Sequence, residues 1–311
     1  MVDAGRQALA DLAAALGRGE KAALALALAR LERDADGVAM LALLNAAWQF
    51  PRAEVIGLTG PPGVGKSTLT GAMIAELRRR SRTVAAIAVD PSSRRSGGAL
   101  LGDRVRLATD PEDAGVFVRS MAARDRLGGL AGLTVTAMVL MRALFDVVLI
   151  ETVGVGQSET DVASVADTVV FCVQPGSGDS LQFMKAGIVE IPHIVVVTKA
   201  DMGSIAERAR NDAAGVLGGV PDAEGWLVPV LALSALRPKD AAILIDVLAV
   251  RAAFMAEAGR LGHQRRQQAE TWMIDAVRDR FGRDGLKRAG PLSLPQDASP
   301  FGKLAEVLAL L

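Results

Sequence analysis

A glycine-rich stretch of the sequence has the residue types and the spacing of a phosphate-binding loop. Residues 60–67 read GPPGVGKS and lie between the apolar run VIGLT and the helix-like stretch TLTGAMIAELRRR. Such a loop turns backbone N–H groups inward around phosphate oxygens, and the following helix adds the positive end of its dipole. The strand–loop–helix context disfavours an accidental match. The residues predicted to bind nucleotide here are Gly60, Pro61, Pro62, Gly63, Val64, Gly65, Lys66, Ser67 and Thr68.

Acidic residues at the ends of apolar runs predict a metal site beside this loop. Lys66 could reach the β- and γ-phosphates, and Ser67 could give its hydroxyl to Mg²⁺. Asp90 ends TVAAIAVD, Glu151 ends FDVVLIE, and Asp103 lies between them in SGGALLGDRVRL. Each acid alone is most often a loop residue or a helix cap. Together with the phosphate loop, they predict a magnesium site formed by Ser67, Asp90, Asp103 and Glu151.

The segment that begins at Glu151 predicts how the nucleotide is hydrolysed. It reads ETVGVG, so Glu151 and Gly154 stand where a GTPase has an aspartate and, three residues later, a glycine whose N–H contacts the γ-phosphate. The next residue is Val155, not the glutamine that positions water in many GTPases. Gln157 is close by, but the sequence does not assign it a role. We expect slow intrinsic hydrolysis that a partner accelerates, with the candidate catalytic residues Lys66, Asp103, Glu151, Gly154 and Gln157.

A second loop, after the β-branched run IVVV, has side chains that could read a guanine base. Residues 198–201 read TKAD, and the Asp201 carboxylate could accept hydrogen bonds from both N1–H and the exocyclic amine of guanine. Adenine would leave that carboxylate unpaired. Lys199 could lay its aliphatic stem along the base. Thr198 stands where asparagine is usual, so we expect weaker affinity with the guanine preference kept.

Asp201 also has a plainer interpretation, as a capping aspartate after a strand. The pair Ser234-Ala235, which ends LVPVLALSA, suits a further loop whose backbone N–H contacts guanine O6. The residues predicted to bind the base are Thr198, Lys199, Asp201, Ser234 and Ala235.

The order of apolar segments predicts the fold that positions these loops. Short β-branched runs alternate with helical stretches, which favours βαβ units and a mainly parallel sheet flanked by helices. The candidate strands are VIGL, TVAAIAV, VVLI, TVVFCV, IVVV and LVPVLAL. Gly17 and Gly19 separate two predicted N-terminal helices. We predict an α/β P-loop NTPase fold with a helical N-terminal extension (1–50), a P-loop G domain (51–250) and a helical C-terminal extension (251–311).

Composition disfavours several other classes of protein. The 311 residues include 35 basic and 35 acidic side chains, a balance that gives no indication of nucleic-acid or anionic-membrane binding. The single cysteine, Cys172, lies in an apolar run, which predicts a buried structural thiol. The N-terminus lacks the pattern of a signal peptide, and the run AALALALA is too short to cross a bilayer. We therefore expect a cytoplasmic protein.

The C-terminal extension predicts an amphipathic helix. Its apolar face is formed by Ala269, Trp272, Met273, Ala276, Val277 and Phe281. Acidic residues interrupt the basic ones on the other face, so nucleic-acid binding is disfavoured. Packing on the core and packing on a second subunit both stay open on this evidence.

With these motifs placed, the chain resembles the MeaB/ArgK-type GTPases, chaperones associated with methylmalonyl-CoA mutase. The resemblance covers residues 20–235 and does not depend on the P-loop alone. The other matching stretches, in order, are AIAVDPSS at 86–93, SGGALLGDRVRL at 96–107, VFVRSMAARDRLGGL at 116–130, FDVVLIETVGVGQSE at 145–159 and VQPGSGDSLQFMKAGIVEI at 173–191. A generic P-loop protein would not show these stretches in this order.

The resemblance implies a dimeric G domain, with Mg²⁺ and GTP or GDP bound, that acts on a B12-dependent acyl-CoA mutase. It also implies that GTP binding and hydrolysis are coupled to adenosylcobalamin delivery and to removal of damaged cofactor. By matching motif positions, Asp90, Asp103 and Glu151 would be the magnesium-site acids. The loop at 176–187 would be a further switch that responds to the partner, with Asp179 and Lys185 as its charged members.

Three positions depart from the family pattern. Thr198 replaces the usual asparagine, Asp125 stands where glycine is usual, and the pair Arg94-Arg95 replaces a site with at least one uncharged residue. These two arginines could approach the phosphates in cis, although solvated loop residues are the simpler interpretation. These departures bear more on which acyl-CoA mutase is the partner (the client) than on the fold, and the expected client is methylmalonyl-CoA mutase or a relative.

Three alternative functions are weaker. A metal-insertion GTPase needs Cys or His ligands, and Cys172, His193 and His263 are an inadequate set. A kinase needs an acceptor pocket and a base beside the γ-phosphate, and no motif indicates one. A binding module with an inactive site is disfavoured by the intact Lys66 and Ser67 and by Glu151.

Overall fold

The computed structural model describes residues 2–91, 109–123, 132–152, 161–176, 192–217, 219, 221–222 and 224–311. Within these residues, seven strands form one sheet in which all hydrogen-bonded pairs are parallel. The strands are β1 (Glu54–Thr59), β2 (Val84–Pro91), β3 (Val116–Ala123), β4 (Val147–Glu151), β5 (Thr168–Val173), β6 (Ile194–Val197) and β7 (Val230–Ala232). Their order across the sheet is β3-β2-β4-β1-β5-β6-β7.

Helices cover both faces of the sheet and extend from both ends of the chain. They are α1 (Val2–Gly17), α2 (Lys21–Arg33), α3 (Val38–Gln49), α4 (Lys66–Arg79), α5 (Gly132–Leu144), α6 (Ser204–Leu217), α7 (Pro238–Ala256), α8 (Arg260–Ala289) and α9 (Pro300–Leu310). Short 3₁₀ helices occur at Val162–Ser164, Ala200–Met202 and Glu257–Gly259.

The central strands are apolar on both faces because helices cover both faces. Every residue of β4 (VVLIE) and of β5 (TVVFCV) is buried, so these strands lack the polar alternation of a half-exposed strand. In the register of the sheet, Leu58 of β1 pairs with Glu151 of β4. Thr59, the last residue of β1, pairs with Phe171 of β5. The carboxyl ends of β1, β4 and β5 therefore lie side by side, which is the edge where ligands bind in open α/β sheets.

Alternate side chains of β1 pack into two separate hydrophobic layers. Val55 packs in a layer that includes α5 and the N-terminal helices, whereas Ile56 and Leu58 pack on the other face with α4 and α7. Leu24 and Leu28 of α2 are almost fully buried in the first layer. Burial of each such leucine contributes about 1.5–3 kcal/mol. The N-terminal helices are therefore part of the same core as the sheet.

The predicted fold class is confirmed, and three local predictions were wrong. Strand β3 was missed, because its apolar start VFV is followed by Arg119, which pairs with Glu32 of α2 at 2.6 Å. Three helices precede the sheet, not two, because the chain also turns between Arg33 and Val38. Of the segment LVPVLAL, which was predicted to form one strand, only Val230–Ala232 (β7) does so.

The predicted apolar face of the C-terminal helix is partly confirmed. Ala269, Met273 and Val277 are buried in a cluster formed with the segment that follows α8 and with α9. Phe281, by contrast, is 39% exposed. Gly282 has a φ of +66°, so the helix axis breaks immediately after Phe281 and the predicted face does not continue. This face packs on its own chain.

A buried ion pair fixes α8 to the amino-terminal edge of the sheet. Nε and Nη2 of Arg265 donate to the Asp167 carboxylate at 2.7 and 2.6 Å. The same carboxylate accepts the N–H of Val55 at 2.7 Å. One helical turn further, the Gln268 amide donates to the carbonyl oxygen of Ala166 at 2.8 Å. These contacts place the C-terminal helix against the residues that lead into β5.

Helix α7 runs across residue 250, the predicted end of the G domain, so the three-part division stays a prediction. Across the described ranges, none of the helices combines the length and the apolar content needed to cross a membrane.

Candidate nucleotide-binding site

The loop between β1 and α4 has a backbone geometry that favours glycine. Gly60 has a φ of +134°, and Gly65, which precedes α4, has a φ of +97°. Both angles lie in the region that residues with a side chain rarely adopt. At Gly60, a Cβ would in addition collide with the carbonyl oxygen of Cys172 in β5. The glycines read from the sequence therefore meet a backbone requirement of this loop.

Lys66 is the first residue of α4, and its ammonium group lies over the loop. Its Nζ donates to the carbonyl oxygens of Gly60 at 2.7 Å and Pro61 at 3.0 Å. The residue is 6% exposed. A positive charge is thereby held at the N-terminus of a helix, which is where a phosphate group is bound most favourably.

Ser67 and Glu151 come together at the carboxyl end of the central strands. The Ser67 hydroxyl donates to Oε1 of Glu151 at 2.5 Å, and the Thr70 hydroxyl lies 3.2 Å from Oε2. Glu151 is 8% exposed. A hydroxyl beside a buried carboxylate supplies two oxygen ligands of the kind that Mg²⁺ prefers. Thr70 was not predicted from the sequence, although its position three residues after Ser67 places both on one face of α4.

Several predicted residues cannot be placed in this site. The backbone of Asp90 lies in β2, two residues beyond Ala88, which pairs with Glu151. Its side chain is outside the described part of the structure. The other predicted residues that lie outside the described residues are Arg94, Arg95, Asp103, Asp125, Gly154, Gln157, Asp179 and Lys185.

Thr198 joins the loop predicted to bind the base, residues 198–201 (the base loop), to the phosphate loop. Its hydroxyl lies 2.6 Å from the carbonyl oxygen of Val64 and 3.0 Å from that of Val173. The side chain is buried, and a hydroxyl has one proton to donate, so the shorter contact to Val64 is the stronger one. The threonine that departs from the usual sequence pattern therefore still connects the two loops.

Lys199 lies across the same junction. It adopts a left-handed backbone conformation with a φ of +53°, and its Nζ donates to Oε1 of Gln174 at 2.7 Å and to the carbonyl oxygen of Gly63 at 3.1 Å. Gln174 was not predicted from the sequence. Two sequence signals could have found it: it lies in the family-like stretch 173–191, and it comes directly after β5, at the same edge of the sheet as the P-loop.

Asp201 and Ser234 link the two predicted base-binding loops. The Ser234 hydroxyl donates to Oδ1 of Asp201 at 2.6 Å. This bond, together with a backbone N–H, lowers the pKa of Asp201 below its ordinary value and keeps the exposed carboxylate ionised. The Ser234 N–H donates to Asp240 at 2.7 Å, which holds the loop that includes Ala235. An ionised carboxylate in a fixed position is what recognition of guanine requires.

The cysteine and one histidine have structural surroundings. Burial raises the pKa of the Cys172 thiol to about 12, so it is not a nucleophile, and the prediction of a buried thiol is confirmed. Burial also lowers the pKa of His193 to about 4, and its Nδ1 accepts the N–H of Val169 at 2.9 Å. Among the described residues, no group of three or more His, Cys, Asp or Glu side chains is placed so that it could hold a metal ion.

A cavity of about 1020 Å³ lies elsewhere, between the N-terminal helices, α5, α8 and α9. The described residues that line it do not include the phosphate loop or the base loop. The candidate nucleotide site is therefore identified by the chemistry and hydrogen bonding of its loops.

Several known proteins similar to this chain are named as GTPases. The model of the family described as "Methylmalonyl Co-A mutase-associated GTPase MeaB" matches residues 22–287. A protein of Pyrococcus abyssi (strain GE5 / Orsay) named as a GTPase is 44% identical over 221 residues, covering 70% of this chain and 68% of that protein. A probable GTPase of Mycobacterium tuberculosis (strain ATCC 25618 / H37Rv) is 39% identical over 276 residues, covering 86% of this chain and 82% of that protein.

Two further similarities involve a eukaryotic protein and a solved structure. The mitochondrial methylmalonic aciduria type A homolog of Mus musculus is 35% identical over 229 residues, covering 72% of this chain and 55% of that protein. A crystal structure described as a LAO/AO transport system kinase superimposes with a TM-score of 0.65 at 25% identity, covering 97% of this chain and 96% of that one. This superposition extends over both helical extensions.

Proposed function

The chain belongs to the MeaB family of methylmalonyl-CoA mutase-associated GTPases, and from this premise we propose that it gates adenosylcobalamin delivery to a B12-dependent acyl-CoA mutase and protects that enzyme. It is a P-loop GTPase, as its relatives are. The proposed client is methylmalonyl-CoA mutase or a relative. Delivery and protection require that the client respond to the nucleotide that this protein has bound.

The observation that carries the nucleotide part of the proposal is the connection between three loops. Thr198 bonds the base loop to Val64 of the phosphate loop. Asp201 bonds the base loop to Ser234, in the loop that contains Ser234-Ala235 (the third loop). These contacts fix the base-reading carboxylate relative to the loop that holds Lys66. The three loops would therefore hold the guanine and the phosphates of one nucleotide at a defined separation.

The residues of the site fit a magnesium ion. Mg²⁺ in nucleotide sites keeps several waters and takes only one or two protein ligands besides the phosphates, and the hydroxyl of Ser67 and the carboxylate of Glu151 supply oxygens of that kind. Bound there, Mg²⁺ would offset the charge of the β- and γ-phosphates. We propose Asp90 and Asp103 as further acids of this site.

Hydrolysis is proposed to be slow until a partner acts. Lys66 would hold the β- and γ-phosphates, and the backbone N–H of Gly154 would contact the γ-phosphate and so respond to its loss. Val155 occupies the position at which many GTPases have a glutamine that orients the attacking water. We propose Gln157, two residues further along the chain, as the side chain that takes over this role when a client binds.

Calorimetric titration with GDP, a nonhydrolysable GTP analogue and an ATP analogue tests the nucleotide assignment. We expect binding of the guanine nucleotides alone, because the Asp201 carboxylate would be left unpaired by adenine. The substitution Asp201→Asn should shift the preference toward xanthine nucleotides, whereas Lys66→Ala should abolish binding of all of them. Equal binding of ATP and GTP analogues would contradict the assignment.

The client is tested with a purified B12-dependent acyl-CoA mutase. We expect the mutase to raise the GTPase rate, and we expect the GTP-bound protein to change the transfer of adenosylcobalamin to the apo-mutase. Lys66→Ala is the control, since it should lose both effects while keeping its fold. A rate unchanged by methylmalonyl-CoA mutase and by its relatives would contradict this part and leave the GTPase activity untouched.

We also propose a cytoplasmic homodimer, as the family resemblance implies, and light scattering would measure its mass.

Two alternative functions are weaker. The buried thiol of Cys172 does not suit a metal-insertion role, because a metal ligand must be accessible and deprotonated. A kinase role would need an acceptor pocket and a base beside the γ-phosphate, and no motif of the sequence indicates one.

A further inference from the structure

The backbone on either side of Lys199 is tied to neighbouring strands. The N–H of Thr198 donates to the carbonyl oxygen of Val173 in β5 at 2.8 Å. The N–H of Ala200 donates to the carbonyl oxygen of Leu233, directly after β7, at 3.2 Å. Between these neighbours, Lys199 has a φ of +53°, a conformation that a residue with a side chain keeps only where its surroundings impose it. The direction in which the Lys199 side chain leaves the base loop is therefore fixed by the backbone.

The far end of the Lys199 side chain lies on the phosphate loop. Its Nζ donates to the carbonyl oxygen of Gly63 and to Oε1 of Gln174. The aliphatic stem between the backbone and the ammonium group therefore spans the distance from the base loop to the phosphate loop. A nucleotide that places its base against Asp201 and its phosphates against Lys66 spans the same two loops. The stem of Lys199 consequently runs alongside such a nucleotide.

Of the two acceptors of this ammonium group, Gln174 is the closer. The bond to Gln174 is 2.7 Å long and partly buried, whereas the bond to Gly63 is 3.1 Å long and exposed. An ammonium group has only protons to donate, so the amide atom that faces it is the oxygen. Without this acceptor, the long lysine side chain would regain rotamer freedom and its hydrated ammonium would turn to solvent. Gln174 directly follows β5, whose residues are all buried, so the acceptor is carried by a rigid element.

We propose that Gln174 is a positioning residue of the nucleotide site: its amide oxygen holds the Lys199 ammonium against the phosphate loop, which keeps the lysine stem extended along the face of the guanine ring. This inference rests on the nucleotide site of the proposed function. Asp201 contacts the edge of the base and decides which base is bound. Gln174 acts through Lys199 on the face of the ring and decides how tightly the base is bound.

Calorimetric titration of Gln174→Met with GDP tests this role. Methionine keeps the length of the side chain but offers only a weak acceptor. We expect roughly a tenfold loss in GDP affinity, as for loss of one hydrogen bond to a charged group. Inosine diphosphate, which lacks the exocyclic amine of guanine, should lose affinity by the same factor, because Gln174 does not act on the edge of the base. A changed ratio of the two affinities would mean that the variant displaces Asp201, and would overturn the proposal.

Gln268→Met is the matched control. Gln268 is also half-buried, and its amide donates to carbonyl oxygens of Ala163 and Ala166, which belong to neither nucleotide loop. This variant should bind GDP as the unaltered protein does, and the melting temperature of each variant shows that it folds. Gln174→Glu keeps an acceptor oxygen opposite the ammonium and should bind GDP more tightly than Gln174→Met. Equally weak binding by these two variants would contradict the role of the acceptor.

A double variant shows whether Gln174 acts through Lys199. Lys199→Met keeps an unbranched apolar stem but loses the ammonium group. Adding Gln174→Met to it should cause no further loss in GDP affinity, whereas losses that add would overturn the proposal. Failure of the unaltered protein to bind GDP would remove the proposed nucleotide site itself. Normal GDP binding by both the unaltered protein and Gln174→Met would remove only the role of Gln174.

Discussion

The hydroxyl of Thr198 lies 2.6 Å from the carbonyl oxygen of Val64, so a buried hydrogen bond joins the loop proposed to read the base to the loop proposed to hold the phosphates. Asparagine, the usual residue at this position, offers an amide with two donor protons and an acceptor oxygen. Threonine offers one proton, and this proton is committed to the phosphate loop. The connection between the loops is kept, whereas any additional bond that an amide could make to the base is not available.

Removal of this hydroxyl should weaken nucleotide binding without changing its selectivity. Thr198→Val keeps the shape of the side chain but leaves the carbonyl of Val64 without this donor. Loss of one buried hydrogen bond costs about 1–1.5 kcal/mol, which corresponds to roughly a tenfold loss in GDP affinity. The preference for GDP over ADP should stay, because it depends on Asp201. Calorimetric titration of both nucleotides measures the two quantities.

Thr168→Val is the matched control for this prediction. Thr168 is a buried threonine at the start of β5, and its hydroxyl lies 3.4 Å from Glu54, far from the phosphate loop. This variant should bind GDP as the unaltered protein does. Unchanged GDP affinity in Thr198→Val would show that the contact with Val64 does not position the nucleotide.

The contact between Ser67 and Glu151 predicts how binding depends on Mg²⁺. Ser67→Ala removes a proposed ligand, so the increase in GDP affinity that Mg²⁺ gives over EDTA should fall about tenfold or more, a loss of about 1.4 kcal/mol or more. Affinity measured in EDTA should change little. Thr70→Val is the control, because Thr70 also contacts Glu151, at 3.2 Å, but is buried and is not a proposed metal ligand. An equal loss in both variants would mean that Ser67 acts only by orienting Glu151.

The phosphate loop and the base loop were predictable because each is a short, contiguous motif. Gly60 to Ser67 and Thr198 to Asp201 fix their own local geometry and follow strands that are evident as β-branched runs. The sheet then brings the two motifs together, since carboxyl ends of parallel strands meet at one edge.

Contacts between distant segments were not predictable in the same way. Gln174 meets Lys199, and Arg265 meets Asp167 across 98 positions of the chain, and no local pattern in the sequence predicts either pairing. Phe281 was misplaced because a periodic pattern does not reveal that Gly282 adopts a positive φ and breaks the helix. Local patterns therefore define elements and motifs, whereas tertiary packing decides which side chains support them.

The ion pair between Arg265 and Asp167 predicts how strongly the C-terminal helix is held. Arg265→Met leaves the 2%-exposed Asp167 carboxylate without its charged partner, and we expect a loss of about 3–5 kcal/mol in the free energy of unfolding. Urea unfolding measures this value, and the double variant with Asp167→Asn should recover part of it. Arg278→Met is the control, because the side chains of Arg278 and Asp275 are 50% and 31% exposed and this pair should contribute less than about 1 kcal/mol. Similar losses in both single variants would contradict the importance of the buried pair.

Glu54 predicts a part of the pH dependence of stability. Burial, followed by repulsion from Asp167, raises the pKa of Glu54 from its ordinary value of 4.5 to about 7. The folded protein therefore binds more protons than the unfolded chain in this window, so the free energy of unfolding should fall as pH rises from about 5 to 8. Glu54→Gln removes this contribution and should be more stable than the unaltered protein at pH 8 by about 1–3 kcal/mol, given that the side chain is only partly buried.

The measurement must separate Glu54 from a histidine with the opposite effect. The pKa of His193 is lowered to about 4, so the unfolded chain binds the extra proton and stability from this group rises with pH up to the ordinary value of 6.5. The informative quantity is therefore the difference between Glu54→Gln and the unaltered protein in urea unfolding at several pH values, because the contribution of His193 cancels. Glu76→Gln is the control, since Arg79 and Arg80 hold the pKa of Glu76 at about 2, and its difference should be constant from about pH 5 to 8. A constant difference for Glu54→Gln as well would show that Glu54 does not titrate in this window.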